Sequence, residues 1–152
     1  ALACEARLAR VIATDVSLDA LAVARPIAAL LDRALCAPVE FRHGSLLAPL
    51  AHEPPGSLRA VVSNPPYIAF EEAAQLPRAV RDWEPALALY AAEEGMAAIA
   101  GIVRQAAPLL APGGLLALEV DARRAALAAE LVASAGAYVD VAVRLDLAGR
   151  ER

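Results

Sequence analysis

The stretch Ser63-Asn64-Pro65-Pro66-Tyr67-Ile68 decides how the rest of this sequence is interpreted. It follows the apolar run Leu58 to Val62, whose length and composition predict a buried strand. That strand would end on a side-chain amide, two rigid prolines and an aromatic ring. Such an arrangement can hold a planar NH2 group in a fixed position.

A nitrogen held in this way can be made reactive. An amide nitrogen is a poor nucleophile, because its lone pair is delocalised into the carbonyl group. The side-chain oxygen of Asn64 and the carbonyl of Pro65 can each accept one N–H and so align the lone pair with a methyl donor, while Tyr67 stacks on the planar group. Placement alone can supply effective molarities of about 10⁵ M. The alternative, that Asn-Pro-Pro is only a turn after a strand, stays open for the motif taken alone.

Length and charge limit the possible functions. The chain has 152 residues, which suits one domain, and its net charge is −4. All its basic residues are arginines and they form no basic stripe, so nucleic acid is not the expected partner. No apolar run is long enough for a bilayer and no signal peptide is visible, which predicts a cytoplasmic protein. The isolated cysteines and histidines predict no metal site: Cys4, Cys36, His43 and His52.

The sequence pattern predicts alternating strands and helices. Apolar runs predict strands at Arg10–Thr14, Leu58–Val62 and Leu115–Leu118, and alternation of apolar and polar residues predicts strands at Pro38–Arg42 and Tyr138–Leu145. Helical spacing predicts helices over 18–35 (capped by Ser17, and kinked or split at Pro26), over 96–110 (stopped by Pro112-Gly113-Gly114) and over 122–134 (with Gly136 as its C-cap). The acidic segment Ile68–Trp83 is expected to be a partly helical excursion. This order predicts an α/β fold with a mostly parallel sheet and helices on both faces.

Three of the predicted strands lead into polar residues: Asp15, Asn64 and Glu119. Ligands of open α/β sheets bind beyond the carboxyl ends of the strands, so these residues predict a site at one edge. Asp15 suits the hydroxyl groups of a ribose, although it can equally cap the next helix. The glycine-rich loop that would strengthen the ribose interpretation is not in this chain.

The motif Ser63–Ile68 resembles the signature of the PrmC/HemK family of protein-(glutamine-N5) methyltransferases, which modify peptide chain release factors. Three further segments are similar to that family: Val80–Leu89 with its Glu84-Pro85 pair, Pro112–Glu119, and Asp146–Arg152. The resemblance covers essentially the whole chain. Adenine-N6 and guanine-N2 methyltransferases share the Asn-Pro-Pro-Tyr motif, but the Glu84-Pro85 block favours a glutamine acceptor.

The resemblance implies a Rossmann-like class I methyltransferase fold, with residues 1–152 forming one incomplete catalytic domain that lacks its first and last strands. It implies S-adenosylmethionine as cofactor, bound by Asp15, Val16, Gly44, Ser45, Leu46 and Asn64. It implies that Asn64, Pro65 and Tyr67 are catalytic and that they bind the substrate with Pro66 and Glu84. Ser45 stands where the family has Asp. Because the glycine-rich loop is absent, the isolated chain is expected to bind cofactor weakly or not at all.

The first hypothesis is therefore N5-methylation of a protein glutamine, in a release factor, by a monomeric enzyme. Acidic residues near the motif would suit a basic protein partner: Glu71, Glu72, Asp82 and Glu84. The alternatives are a nucleic-acid amino-methyltransferase that uses the same motif, and a non-catalytic remnant module.

Overall fold

The computed structural model of the chain describes residues 2–5, 10–31, 34–69, 72, 85–89 and 95–151. The chain divides into two compact units, Ala1–His52 and Glu53–Arg152. Strands and helices alternate along the sequence and the strands pair in parallel, so the predicted α/β class is confirmed. Within the described residues the strands form two parallel sheets of two strands, one in each unit.

The first unit consists of a short helix followed by a β-α-β arrangement. Its elements are α1 (Leu2–Glu5), β1 (Val11–Asp15), α2 (Leu18–Leu30), β2 (Val39–His43) and a 3-10 turn (Ala48–Leu50). The two strands run parallel in unbroken register, from the pair Val11–Val39 to the pair Asp15–His43. Both strands therefore end at the same edge of this sheet.

Helix α2 begins as the sequence predicts. The Oγ of Ser17 accepts the Ala20 N–H at 3.1 Å, which satisfies one of the unpaired donors of the first turn. Pro26 lies inside the helix, where it cannot donate to the carbonyl one turn earlier. Of the two expectations for Pro26, a kink or a split, the split is wrong, because one helix continues to Leu30 and the Leu31 N–H bonds back to Ile27 and Ala28.

The second unit contains another parallel strand pair with helices between the strands. Its elements are β3 (Leu58–Ser63), α3 (Ala86–Leu89), α4 (Ala97–Ala106), β4 (Leu110–Leu118) and α5 (Ala125–Ser134). Gly136 follows α5 with φ of +67°, and its N–H bonds to the carbonyl of Ala133, as expected for a left-handed residue after a helix. Most of the predicted excursion over 68–83 lies outside the described residues.

Strand β4 corrects the prediction for Pro112-Gly113-Gly114. These residues do not stop a helix, since α4 has already ended at Ala106. They lie within β4, where the register jumps from Leu58–Leu110 to Ala60–Leu115 and leaves a bulge of several residues. Gly113 adopts φ of +73° there, a backbone conformation that glycine tolerates best.

The core of the second unit lies between β4, α4 and α5. Its buried members are Ile99, Val103, Val120, Ala125 and Ala128, which we call the α4–α5 core. The partly buried side chains packed against it include Tyr67, Leu116, Leu118, Leu131 and Tyr138. The Tyr138 hydroxyl donates to the Val103 carbonyl at 2.7 Å, and burial raises the pKa of this phenol.

The strand predicted over Tyr138–Leu145 is wrong. Within the described residues this segment makes only one bridge, the antiparallel pair Leu145–Glu151. Alternating apolar residues predict which side chains share a face, but a strand also needs a neighbour that completes its ladder. Among the helices that the structure describes, none is long and apolar enough to cross a membrane.

Candidate functional site

The carboxyl edge of β1 and β2 holds the residues that the resemblance assigns to cofactor binding, with the exception of Asn64, which follows β3. Asp15 and His43 end the two strands side by side, and the Gly44 N–H donates to the Asp15 carbonyl at 2.9 Å. Val16 follows Asp15 and is exposed. The structure therefore brings Asp15 and Val16 together with the turn that starts at Gly44, as the edge rule predicts.

The carboxylate of Asp15 accepts one hydrogen bond from the nearby backbone and has a second oxygen that can accept others. Its Oδ1 accepts the Ser17 N–H at 2.8 Å, which fixes the turn between β1 and α2. Within the described residues the structure gives no partner for the other oxygen, Oδ2, and the residue is exposed. A carboxylate with an exposed oxygen at a strand end fits a hydroxyl-bearing ligand such as ribose. The helix-capping role belongs to Ser17 rather than to Asp15.

The turn Gly44-Ser45-Leu46 is held tightly against its neighbours. A Cβ on Gly44 would lie 2.6 Å from Cγ of Pro49, so the residue must be glycine for the chain to pass. Leu46 adopts a left-handed backbone with φ of +50°, and its carbonyl accepts the Thr14 hydroxyl at 2.8 Å. This bond ties the turn to the last residues of β1. Ser45 remains exposed at its tip.

His43 is a member of this edge that the sequence analysis considered only as a metal ligand. Its Nε2–H donates to the Val16 carbonyl at 3.1 Å, so the ring joins the ends of the two strands. A signal existed in the sequence, since His43 precedes the turn glycine at the end of a predicted strand. Within the described part of the chain, no group of three or more His, Cys, Asp or Glu is placed to hold a metal ion.

The motif turn, Asn64 to Tyr67, follows β3 in the second unit. The parallel ladder extends to Ser63, the residue directly before the turn, since the Glu119 N–H donates to the Ser63 carbonyl at 2.9 Å. Asn64 is exposed while Pro65 is buried, and Pro66 and Tyr67 are half-buried. The amide of Asn64 is therefore open to a ligand, although its backbone lies between a paired strand and a packed proline.

Tyr67 belongs to the packing of the unit as well as to the motif. Its side chain packs against the α4–α5 core. Its backbone lies against Gly95, where φ is +87° and an added Cβ would collide with the Tyr67 carbonyl. The next residue, Ile68, donates its N–H to the Leu89 carbonyl at 3.0 Å. The ring is thus held in place by the core, next to the turn.

A network of charged residues lies where the chain leaves the motif. Glu72 accepts the Ala69 N–H at 3.0 Å, and its carboxylate is paired with Arg124 at 2.6 Å and with Arg123 at 2.9 Å. Arg123 also bonds Asp121 at 2.7 Å. Burial alone would raise the pKa of Glu72, but the Ala69 N–H and the two guanidinium groups together hold it below the ordinary value.

This network corrects one expectation about the acidic residues near the motif. Glu72 was expected to face a basic protein partner, but its charge is already paired within the chain. Glu71, Asp82 and Glu84 lie outside the described residues. The sequence analysis missed Arg124, whose side chain is only 8% exposed. Its one signal was a second arginine at the start of a helix that is otherwise rich in alanine.

The predicted site residues fall into two groups, each within one unit. Asp15, Val16 and the turn Gly44–Leu46 lie together at the β1–β2 edge of the first unit. Asn64, Pro65, Pro66 and Tyr67 lie in the motif turn of the second unit. We call these two groups the β1–β2 edge and the motif turn.

The chain is similar in sequence to several known proteins that share one name. The chain is 44% identical to a release factor glutamine methyltransferase of Deinococcus radiodurans, over 95% of this chain and 48% of that protein. Proteins of the same name from Synechocystis sp. and Moorella thermoacetica are 39% and 43% identical over 92% and 95% of this chain. No protein-family profile matches the chain. The chain spans about half the length of the curated relatives it matches.

Proposed function

From its similarity to the release factor glutamine methyltransferases, we propose that this chain is part of an enzyme that methylates a protein glutamine. The methyl group is transferred to N5 of the side-chain amide, and the acceptor protein is a peptide chain release factor. The cytoplasm, where release factors act on ribosomes, is the proposed site of action. The identity of 34–44% over more than nine-tenths of the chain supports this choice.

The observation that carries the proposal is the setting of Asn64. Its amide is exposed at the carboxyl end of a paired strand, and the next residue, Pro65, is buried. In the proposed reaction the Asn64 side-chain oxygen and the Pro65 carbonyl each accept one N–H of the substrate amide. The nitrogen lone pair is then directed at the methyl donor. Rigid placement of this kind is worth several kcal/mol of the barrier, roughly 7 or more in the best cases.

The other residues of the motif hold the acceptors in place. Pro65 and Pro66 restrict the backbone, which fixes the direction of the Pro65 carbonyl. Tyr67 provides a ring beside the substrate amide, and its packing against the α4–α5 core supports that role because the ring is already held. Glu84 is proposed to order the loop over the site. The N–CH3 bond forms as the S–CH3 bond breaks, and the cationic sulfonium leaves as a neutral thioether. The methylated nitrogen then loses one N–H proton to water, so no strong base is required.

S-adenosylmethionine, when bound, supplies the electrophilic methyl group for this reaction. The residues of the β1–β2 edge fit such a ligand. The Oδ2 of Asp15 is available for ribose hydroxyls, and Gly44, Ser45 and Leu46 form an anchored turn that is proposed to lie beside the adenine. Val16 is exposed at the same edge and can offer apolar contact.

The proposal is tested by methyl transfer in the full-length polypeptide that carries this sequence. A labelled donor is supplied with release factor or with RNA in separate reactions. We expect label on the release factor, at a glutamine located by mass spectrometry. Label on RNA alone would contradict the proposal and favour the nucleic-acid alternative, and label on neither substrate would favour the non-catalytic one.

A further inference from the structure

Arg124 is a buried cation at the exit of the motif turn. It lies one residue before α5 and its side chain is only 8% exposed. Charged side chains are rarely buried to this extent without a specific role, because the loss of hydration must be offset by close partners. Its Nη2 donates to Glu72 Oε2 at 2.6 Å, a short charge-assisted bond.

Two paths lead from Arg124 to the backbone of the motif. Through Glu72 it reaches Ala69, whose N–H donates to the same carboxylate oxygen at 3.0 Å. Gly95 lies between Arg124 and Tyr67, since a Cβ there would lie 2.6 Å from Arg124 Nε and would also collide with the Tyr67 carbonyl. Arg124 is therefore linked to Ala69 by hydrogen bonds through Glu72 and to Tyr67 by close packing around Gly95. We call Glu72, Gly95 and Arg124 the exit clamp.

The position of the exit clamp matters because of what precedes it. The proposed reaction requires the Asn64 oxygen and the Pro65 carbonyl to keep their direction to a fraction of an ångström. Upstream, the ladder between Ser63 and Glu119 fixes the start of the turn. Downstream, the exit clamp fixes its end at Tyr67 and Ala69. A turn held at both ends presents its acceptors in one orientation.

We infer that Arg124 is a positioning residue for methyl transfer, acting through Glu72 and Gly95 on the orientation of Asn64 and Pro65. This inference rests on the proposed function. Arg124 itself does not touch the reacting atoms in the proposed reaction. Its guanidinium is suited to the role, since a planar group can bond Glu72 and fit against Gly95 at the same time.

The chain offers a matched control at the adjacent position. Arg123 pairs with the same Glu72 carboxylate at 2.9 Å, but its side chain is 61% exposed. The variants Arg124→Met and Arg123→Met therefore remove the same charge from the same partner, one buried and one exposed. Arg124→Lys retains the charge and loses the planar group. These variants are made in the full-length polypeptide that carries this sequence.

Two readouts separate positioning from general stability. The first is methyl transfer to release factor, with kcat, acceptor KM and donor affinity measured separately. We expect kcat to fall at least about tenfold in Arg124→Met while donor affinity stays within about threefold, since misplacement by about 1 Å can cost 100-fold. The kcat of Arg124→Lys should lie between that of Arg124→Met and that of the wild type. Arg123→Met should change kcat by less than about threefold.

The second readout is hydrogen exchange at the Ile68 and Ala69 amides, which does not depend on activity. We expect faster exchange at both amides in Arg124→Met and no change in Arg123→Met. Equal exchange in the two variants would overturn the inference, and so would an unchanged kcat when exchange has become faster. If Arg124→Met does not fold, Arg124→Lys and Glu72→Gln are judged by the same criteria.

Different results would contradict the proposed function and the positioning role of Arg124. A wild-type protein that methylates no glutamine would contradict the proposed function, while hydrogen exchange would still decide whether the exit clamp holds the turn. A wild-type protein that methylates glutamine, with Arg124 variants matching Arg123→Met, would contradict the positioning role alone.

Discussion

At the scale of single residues, two glycines with similar backbones have very different surroundings. Gly95 has φ of +87° and lies against Tyr67 and Arg124, whereas Gly113 has φ of +73° with nothing within 4 Å of an added Cβ. Gly113→Ala should therefore lower the free energy of unfolding only by the penalty for alanine in a left-handed conformation, about 1 kcal/mol. Gly95→Ala should cost at least about 1 kcal/mol more, because the chain must also shift.

Urea unfolding of the two variants measures this difference directly. Because the backbone penalty is shared, the additional loss of stability in Gly95→Ala reports the close contacts with Tyr67 and Arg124. Equal losses of stability in the two variants would show that Gly95 is not tightly enclosed.

Asp146 gives a prediction about pH. Its carboxylate accepts the backbone N–H groups of Arg150 and Ala148 and pairs with the Arg150 side chain, which lowers its pKa from 3.8 to about 2. Because the folded pKa is the lower one, this turn is stabilised above pH 3.8 and loses that stabilisation as the pH falls toward about 2.

The chemical shift of the Arg150 amide, followed by NMR during acid titration, should have its midpoint near 2. In Asp146→Asn this transition should disappear. A midpoint at or above 3.8 would show that the turn does not hold the charged carboxylate.

The sequence could predict site residues that directly follow a strand. It could not predict residues that are brought together from distant positions in the chain. Asp15 comes directly after an apolar run, and parallel strands place the ends of such runs at one edge. Arg124 and Glu72 are 52 positions apart, and their pairing depends on the tertiary structure. Nothing in the local sequence around either residue indicates it.

At the scale of elements, helix α2 depends on the cap that its sequence predicts. Ser17 Oγ accepts the Ala20 N–H, while the exposed first turn has little other support. Ser17→Ala should therefore destabilise the first unit by about 1 kcal/mol. Ser134→Ala, at the exposed last residue of α5, provides the control and should change stability by less than about 0.5 kcal/mol.

Thermal or urea unfolding can compare these two serine variants. Ser17→Thr should keep most of the stability, because threonine retains the capping oxygen. Equal stability of Ser17→Ala and Ser134→Ala would mean that the cap contributes little to α2.

The elements also show where pattern analysis fails. The proline and the two glycines of 112–114 predicted the end of a helix, because these residue types interrupt regular structure. They form a bulge inside β4 instead, since a strand can absorb extra residues that a helix cannot. Tyr138–Leu145 has the alternation of a strand but pairs only at Leu145, and sequence alternation says nothing about a partner.

At the scale of the whole molecule, the proposed roles are divided between the two units. Apart from Asn64, which the resemblance assigns to both ligands, the residues assigned to the methyl donor belong to Ala1–His52. The motif turn assigned to the acceptor amide belongs to Glu53–Arg152. Substitution of the motif turn should then affect transfer and donor binding unequally. This expectation separates an acceptor-binding role for Asn64 from a general role in folding.

The most direct test of Asn64 is methyl transfer by Asn64→Ala, measured beside donor affinity in the full-length polypeptide that carries this sequence. Because Asn64 is proposed to hold the acceptor amide, transfer to release factor should fall by at least about 100-fold. Donor affinity should stay within about threefold of the wild type. Transfer that survives the substitution, or donor affinity that falls as far as transfer, would contradict the role assigned to the motif turn.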